Sequence, residues 1–232
     1  MYKRQAAAGA DLIDLNMGCP VPKVCKTGAG AALMKDPDTA VAVARAAGEG
    51  SGLPVTVKLR AEGAGVAARL VEEAGVAGIT FHPRTVNVRH KGRPDYDLVA
   101  RMVAELPVPV IVSGGMDGAE HARWAFEHTG AAAIMLARGS LGNPWLFEQV
   151  LGTREEEPAR DEVLEEWRWV VDRAEEHLGP DRAARYLRKF HPWYLARLGD
   201  APSLQDGLQR AGTLAEQRAM IDSLGPLAAA AT

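Results

Sequence analysis

Short runs of aliphatic and β-branched residues alternate along the first part of the chain with longer stretches rich in Ala and Leu. The runs are Leu12–Asn16, Val55–Leu59, Gly78–His82, Val108–Val112 and Ala133–Leu136, each bounded by Gly or Pro. Runs of this length and composition, set between turn residues, read as strands. The intervening stretches, at about 38–49, 64–75, 95–105 and 118–129, read as helices. Strands alternating with helices predict a parallel sheet, and continuous apolar runs fit strands covered on both faces. A doubly wound dinucleotide sheet would need G-x-G-x-x-G directly after a strand, and no run here is followed by one. The polar and special residues gather just past the runs: Asn16 to Pro20, Lys58 to Arg60, His82 to Thr85, Ser113 to Gly115 and Arg138 to Gly142. A (β/α)8 barrel carries its function at those strand ends. The expected fold class is therefore α/β, a partial TIM (β/α)8 barrel made of its last five strands, with the other three upstream.

Beyond Pro144 the period changes. Val163, Leu164, Trp167, Val170, Val171, Ala174 and Leu178 fall on one face of a helix spanning about 161–178. Two further helices are expected at about 181–197 and 203–223, punctuated by Pro158 and by Gly179-Pro180. The division is read as a barrel domain over 1–150 and a small helical domain over 151–232, with Ala228 to Thr232 as a frayed tail.

The opening is unusual, because Met1 to Gln5 runs straight into what reads as a helix end rather than a strand. One frame of a transposon-based sequencing adapter translates to Tyr-Lys-Arg-Gln. Residues 1–5 are therefore expected to be foreign to the gene and the barrel to be cut at its start. Such a chain, alone, should aggregate or bind a cofactor poorly, because missing strands expose sheet edges and an apolar interior.

At 47% hydrophobic and 25% charged residues the composition is globular. A formal charge of -3 excludes a broadly basic nucleic-acid binder but leaves room for local patches. No apolar run approaches the roughly 18 residues of a membrane span, and no secretory leader opens the chain. Two cysteines, Cys19 and Cys25, do not make a disulfide scaffold or a zinc site. Reduced thiols in the cytoplasm, no membrane and no metal are the expectation.

The densest chemistry runs from Asp14 through Asn16, Gly18, Cys19 and Pro20 into a basic, glycine-punctuated loop with Lys23, Lys26, Gly28 and Gly30. Taken singly, Cys19 would read as a packed thiol, Lys58 as a solvated strand-end cation and His82 as a structural histidine. Taken together with Lys58 and Arg60, His82 to Thr85, Ser113 to Gly115, Ala137 to Trp145 and Arg188 to Tyr194, the block closely resembles the tRNA-dihydrouridine synthases, in their bacterial B-type branch. The resemblance covers nearly the whole chain in order.

What it implies is specific. In that family FMN is reduced by NADPH or NADH and hydride passes to C6 of a uracil in tRNA. C5 then needs a proton, and a thiol with an ordinary pKa of about 8.5 holds one near neutrality. The resemblance puts Cys19 in that role, Asn16 at the uracil edge, and Lys58 and His82 at the flavin. Arg60 is expected to point with Lys58 towards the substrate. Ser113, Gly114 and Gly115, with Ala137 and Arg138, sit after the last two strands, where barrels bind phosphate. Three basic groups could form a tRNA cradle: Arg84, Arg89, His90, Lys91 and Arg93; Lys23 and Lys26; and Arg182, Arg185, Arg188, Lys189 and His191. Each could equally be a solvated face. Binding through phosphates weakens steeply with salt. A monomer is expected for the full-length protein.

Three departures stand out: Pro83 where the family more often has Gly, Ser113-Gly114-Gly115 where Asn-Gly-Asp is frequent, and a short connection after Arg60. The rival enzyme class is a flavin dehydrogenase acting on a free pyrimidine of the dihydroorotate type. A non-catalytic RNA-binding protein is the other.

Overall fold

The structure, a computed structural model, describes residues 2–199 and 202–225. The tail read at Ala228 to Thr232 lies outside them. The elements of the first compact unit, which ends at Ala137, are α1 (Tyr2–Ala7), β1 (Ile13–Asn16), α2 (Pro22–Cys25), α3 (Pro37–Ser51), β2 (Val55–Arg60), α4 (Ala64–Ala74), β3 (Gly78–His82), α5 (Tyr96–Glu105), β4 (Val110–Ser113), α6 (Ala119–Thr129) and β5 (Ala133–Met135).

All five strands pair in parallel in the order β1-β2-β3-β4-β5. Each new strand is added at the same edge, so the order never reverses. A doubly wound sheet must reverse at its switch point, whereas a (β/α)8 barrel never does. The sheet is thus a five-strand arc of barrel type. Its helices form on ordinary local signals. Asp36 caps α3 by accepting from the Thr39 amide at 3.2 Å, and Asp95 caps α5 through the Leu98 amide at 3.0 Å.

The two faces of the sheet differ in kind, and the expectation of strands covered on both faces is met at β3, which is buried throughout, but corrected at β1 and in part at β2. Register aligns Ile13, Val55, Leu15, Val57, Ile79, Leu59, Phe81, Val110 and Val112 on one face. Most of these are buried, with α3 packing on β1 and β2, α5 on β4, and α6 on β4 and β5. Register aligns Asp14, Asn16, Thr56, Lys58, Arg60, Thr80, His82 and Ser113 on the other. Strand alternation carries this split; the runs look uniformly apolar only because Thr, Gly and Ile also occupy the second face.

The second unit runs from Arg138: α7 (Leu146–Leu151), α8 (Arg160–Leu178), α9 (Pro180–Leu187), α10 (His191–Leu198), α11 (Pro202–Arg210) and α12 (Leu214–Asp222). Its core gathers Val163, Leu164, Trp167, Val171 and Ala174 of α8 with Leu187, Leu195, Leu208 and Ile221. The units divide between Ala137 and Arg138, earlier than at 150, because Trp145 packs against this helical core. The helices expected at 181–197 and 203–223 are each two helices. Pro192 sits in the first turn of α10, where it fits, and it could not continue α9. Thr213 and Glu216 form a capping box that starts α12 anew after Gly212.

Candidate active site

The site residues of the first unit converge at the carboxyl ends of β1 to β4. Leaving β1, the chain turns at once. The Met17 amide bonds the Lys58 carbonyl at 2.9 Å, and the Asn16 Oδ1 accepts from the Gly18 amide at 3.1 Å. Cys19 follows as a half-buried free thiol. Its carbonyl accepts from the Ala31 amide at 2.9 Å and from the Cys25 Sγ at 3.3 Å. Gly30, at φ +59, comes so close that an added Cβ would stand 2.7 Å from that carbonyl, so only glycine fits there. The Cys25 thiol, through that same carbonyl, ties the loop to itself.

Arg60 braces this loop from the next strand. It is 3% exposed. Its Nε donates to the Gly18 carbonyl at 3.0 Å, and its Nη1 donates to those of Thr85 at 3.3 Å and Arg89 at 2.8 Å. Arg84 is likewise turned inward, donating from Nε and Nη2 to the Gly92 carbonyl at 3.1 and 2.9 Å. Both depart from the substrate-facing arginines expected of the pattern: their guanidinium groups hold the backbone of the 85–93 loop. The physical reason is supply. That loop leaves carbonyls without ladder partners, and as they become partly buried they take donors where they find them. Arg89, whose carbonyl reaches Arg60, is the one non-glycine residue with positive φ among the described residues, at 52°. Its side chain and those of His90, Lys91 and Arg93 are exposed.

His82, at the end of β3, is buried at 6% exposure. An Arg84 Nη1 lies 3.4 Å from its Nε2, and its ring centre is 5.9 Å from that of His90. Burial, then Arg60, Lys58, Arg84 and His90, push its pKa down to about 3, so the ring is neutral. Lys58 neighbours Asn16 and Thr80 in register. Burial and Arg60 lower its pKa, and Asp14 opposes them. Burial also lowers Arg60, with Glu62 and Cys19 acting the other way and Arg84 adding to the fall. The site is therefore a pocket of positive potential beside a thiol.

Ser113 ends β4 and is buried. Gly114 follows at φ +94, where a Cβ would stand 2.6 Å from the His82 Nε2. The Tyr96 hydroxyl donates to the Gly114 carbonyl at 2.8 Å, a support that the sequence reading missed. The Asp95 cap signal would have placed Tyr96 at the start of α5, but not its hydroxyl. Asp14 was also missed. It accepts from the Thr56 hydroxyl at 2.8 Å, and strict alternation from Asn16 would have put it on this face.

Lys23 and Lys26 are exposed at α2. Ala137 closes the first unit after β5, and Arg138 opens the second in a 3-10 turn to Ser140. In the second unit Lys189 is exposed with its Nζ 3.9 Å from the Tyr186 ring centre. Arg188 donates to the Ala211 carbonyl at 2.9 Å. His191 does not join the basic surface: it is buried and accepts from Trp167 Nε1 at 3.1 Å. Among the described residues no group of His, Cys, Asp and Glu is arranged to hold a metal. No helix among them is long and apolar enough to cross a membrane.

Comparison with known proteins adds sequence kinship to this geometry. The family model described as Dihydrouridine synthase (Dus) matches residues 2–228. The tRNA-dihydrouridine synthase B of Pasteurella multocida is 32% identical over 205 residues, 84% of this chain and 62% of that protein. A probable tRNA-dihydrouridine synthase of Rhizobium leguminosarum bv. phaseoli is 35% identical over 222 residues, covering 91% and 67%. The tRNA-dihydrouridine synthase B of Shewanella oneidensis is 31% identical over 230 residues, covering 92% and 70%. The chain thus spans 62 to 70% of the length of these relatives.

Proposed function

The chain belongs to the dihydrouridine synthase family, and from that membership we propose that the protein reduces the C5–C6 bond of particular uridines in tRNA, as a cytoplasmic monomer using FMN and either NADPH or NADH. The observation that carries the reading is the convergence of a thiol on a braced loop with Lys58, Arg60, His82 and Arg84.

That convergence fits an anionic isoalloxazine and its phosphate. The titratable neighbours that depress His82 are all cations or another histidine, so a negative group there would be attracted rather than repelled. When bound, FMN supplies the hydride for C6. Cys19 holds a proton at Sγ and delivers it to C5, where negative charge develops. Asn16 has its Oδ1 engaged by Gly18 and so presents its amide N–H groups to a uracil carbonyl. Lys58 offsets negative charge with its ammonium, while His82 offers a neutral ring. Backbone N–H groups of the Ser113, Gly114 and Gly115 loop, together with Ala137 of the same unit, are the proposed phosphate cradle. Lys23, Lys26, Arg89, Lys91 and Arg93, with Arg182, Arg185 and Lys189 of the second unit, would meet tRNA phosphates. Arg60, Arg84 and Arg188 contribute by fixing the backbone that presents them.

The test is mass spectrometry of tRNA from a strain lacking the gene. One dihydrouridine should disappear, return with the wild-type gene and stay absent with Cys19→Ala. Unchanged dihydrouridine, with reduction of free orotate by the purified protein, would overturn the proposal in favour of a free-pyrimidine enzyme.

A further inference from the structure

We propose that Cys25 is a resolving thiol for Cys19: when a hydroperoxide oxidises Cys19, Cys25 closes a disulfide within the loop that reversibly withdraws the proton donor and shields it from deeper oxidation. The regulatory half of this inference rests on the function proposed above; the sulfur chemistry does not.

The two residues are the chain's two cysteines, and both are free and half-buried. The Cys25 Sγ already donates to the Cys19 carbonyl at 3.3 Å. Through standard bond lengths, that contact confines the two Cα atoms to within about 8 Å. A disulfide needs roughly 4.4–6.8 Å, a range inside that bound, so any approach that closure still requires is small and must come from one side. Cys19 cannot supply it, because Ala31 holds its carbonyl and Gly30 packs against it. Cys25 can. It ends α2, a single turn with no side-chain cap hydrogen bond, and the chain beyond it reaches Gly28 at φ +76. Rotation about the Cys25 Cα–Cβ bond frees its sulfur from the Cys19 carbonyl, which closure onto the Cys19 sulfur requires.

The order of events follows from the surroundings. The Arg60 cation lies within Coulombic range of Cys19, while the Cys25 hydrogen is engaged by a carbonyl. The Cys19 thiolate attacks one oxygen of hydrogen peroxide, the O–O bond breaks, and the other oxygen leaves as water after taking up the thiol's proton. Cys19 is now a sulfenic acid. The Cys25 sulfur attacks the Cys19 sulfur, the S–O bond breaks, and the departing hydroxide takes up the Cys25 proton as a second water. Two thiols have lost two electrons and two hydrogens, and one peroxide has become two waters.

Trypsin cleaves after Lys23 and so parts the two cysteines, which makes the bond directly readable. The full chain is treated with hydrogen peroxide in native buffer, alkylated, digested and mapped by mass spectrometry. The expected result is joint loss of both thiols, a linked pair of peptides carrying Cys19 and Cys25, and full recovery with dithiothreitol. In Cys25→Ser and Cys25→Ala, Cys19 should pass on to sulfinic acid and resist recovery. Sulfinic Cys19 beside a free Cys25 in the wild type, a disulfide joining two chains, or full recovery in both variants would overturn the proposal. Dihydrouridine formation before and after oxidation is read on the same samples. Inactivity before oxidation counts against the function, whereas activity that survives a complete intraloop disulfide overturns the regulatory half.

Discussion

Replacing Arg60 with lysine keeps the charge and removes the fork. Three carbonyls, those of Gly18, Thr85 and Arg89, now share the Arg60 donors. An ammonium on a flexible stem can retain one of these bonds and not the set. A hydrogen bond to a charged group is worth about 1.5–3 kcal/mol, and the two released carbonyls of the outer loop regain some water, so the net loss is about 3 kcal/mol. Since 1 kcal/mol moves the melting midpoint of a domain this size by a few degrees, the variant should melt ~10 °C lower. The retained cation keeps the repulsion with Lys58 and Arg84 in place, so the shift isolates geometry from charge. A local readout accompanies the global one: with one mobile ammonium in place of the fixed fork behind the Gly18 carbonyl, the loop loosens and iodoacetamide should alkylate Cys19 several times faster. A lysine variant that melted and alkylated like wild type, yet no longer reduced tRNA, would refute the reasoning. Arg60 would then act on the substrate, as its place in the strand suggested.

Gly114→Ala would put a Cβ 2.6 Å from the buried His82 ring at φ +94; strain and overpacking together should remove about 3 kcal/mol, seen as a lower urea midpoint. An unchanged midpoint would show that the loop yields. His82 and His191 have folded pKa values pushed down to about 3 and about 4 from 6.5, so the unfolded chain binds more protons between those values. Their contribution is complete above about pH 6.5 and is lost as pH falls, by up to about 1.4 kcal/mol per pH unit for each; His191→Gln should flatten the slope in urea titrations between about pH 7.5 and 4.5, and an unaltered slope would contradict the burial argument. Asp14→Asn removes the charge that opposes the lowering of the Lys58 pKa. The unfolded chain binds more protons between that lowered value and 10.5, so stability rises with pH there and the variant should rise more than wild type; superimposable alkaline profiles would show that Asp14 does not act on Lys58.

Much of the first unit was legible because its signals are local. All five strands form where Gly- or Pro-bounded runs lay, and Val163, Leu164, Trp167, Val171 and Ala174 form the buried face read from their spacing. The broken helices were less legible. Apolar spacing continues across Arg188 to Phe190 and across Ala211 to Thr213, and a periodicity count does not register that Pro192 or a Thr213–Glu216 box restarts the helix. The roles of Arg60 and Arg84 were invisible for a different reason. Alternation fixes the face on which a residue leaves a strand, not which distant carbonyl a long side chain finds. Gly92 and Arg89 become partners only when the 85–93 loop folds back. His191 misled because a histidine among cations reads as surface, while its real neighbours are Trp167 and Gln217 in the helical unit.

The braces also account for how so much positive charge persists at one end of the sheet. Burial lowers the pKa of Lys58 and Arg60 alike, so each is disfavoured in its charged form, and the two cations repel one another. A sequence selected for stability alone would set carboxylates among them. The acids that do act there are engaged elsewhere too: Asp14 accepts from Thr56 and Glu62 accepts from the Val86 amide at 2.7 Å. The Arg60 guanidinium hydrogen-bonds to backbone carbonyls. A carbonyl fixes a guanidinium in place with a partial charge and leaves its full positive charge uncancelled. Positive potential is thereby built into the fold before any ligand arrives, which is the condition for stabilising negative charge without reorganisation. Local rules of stability are broken where a protein needs them broken, and here the break falls at the strand ends around Cys19.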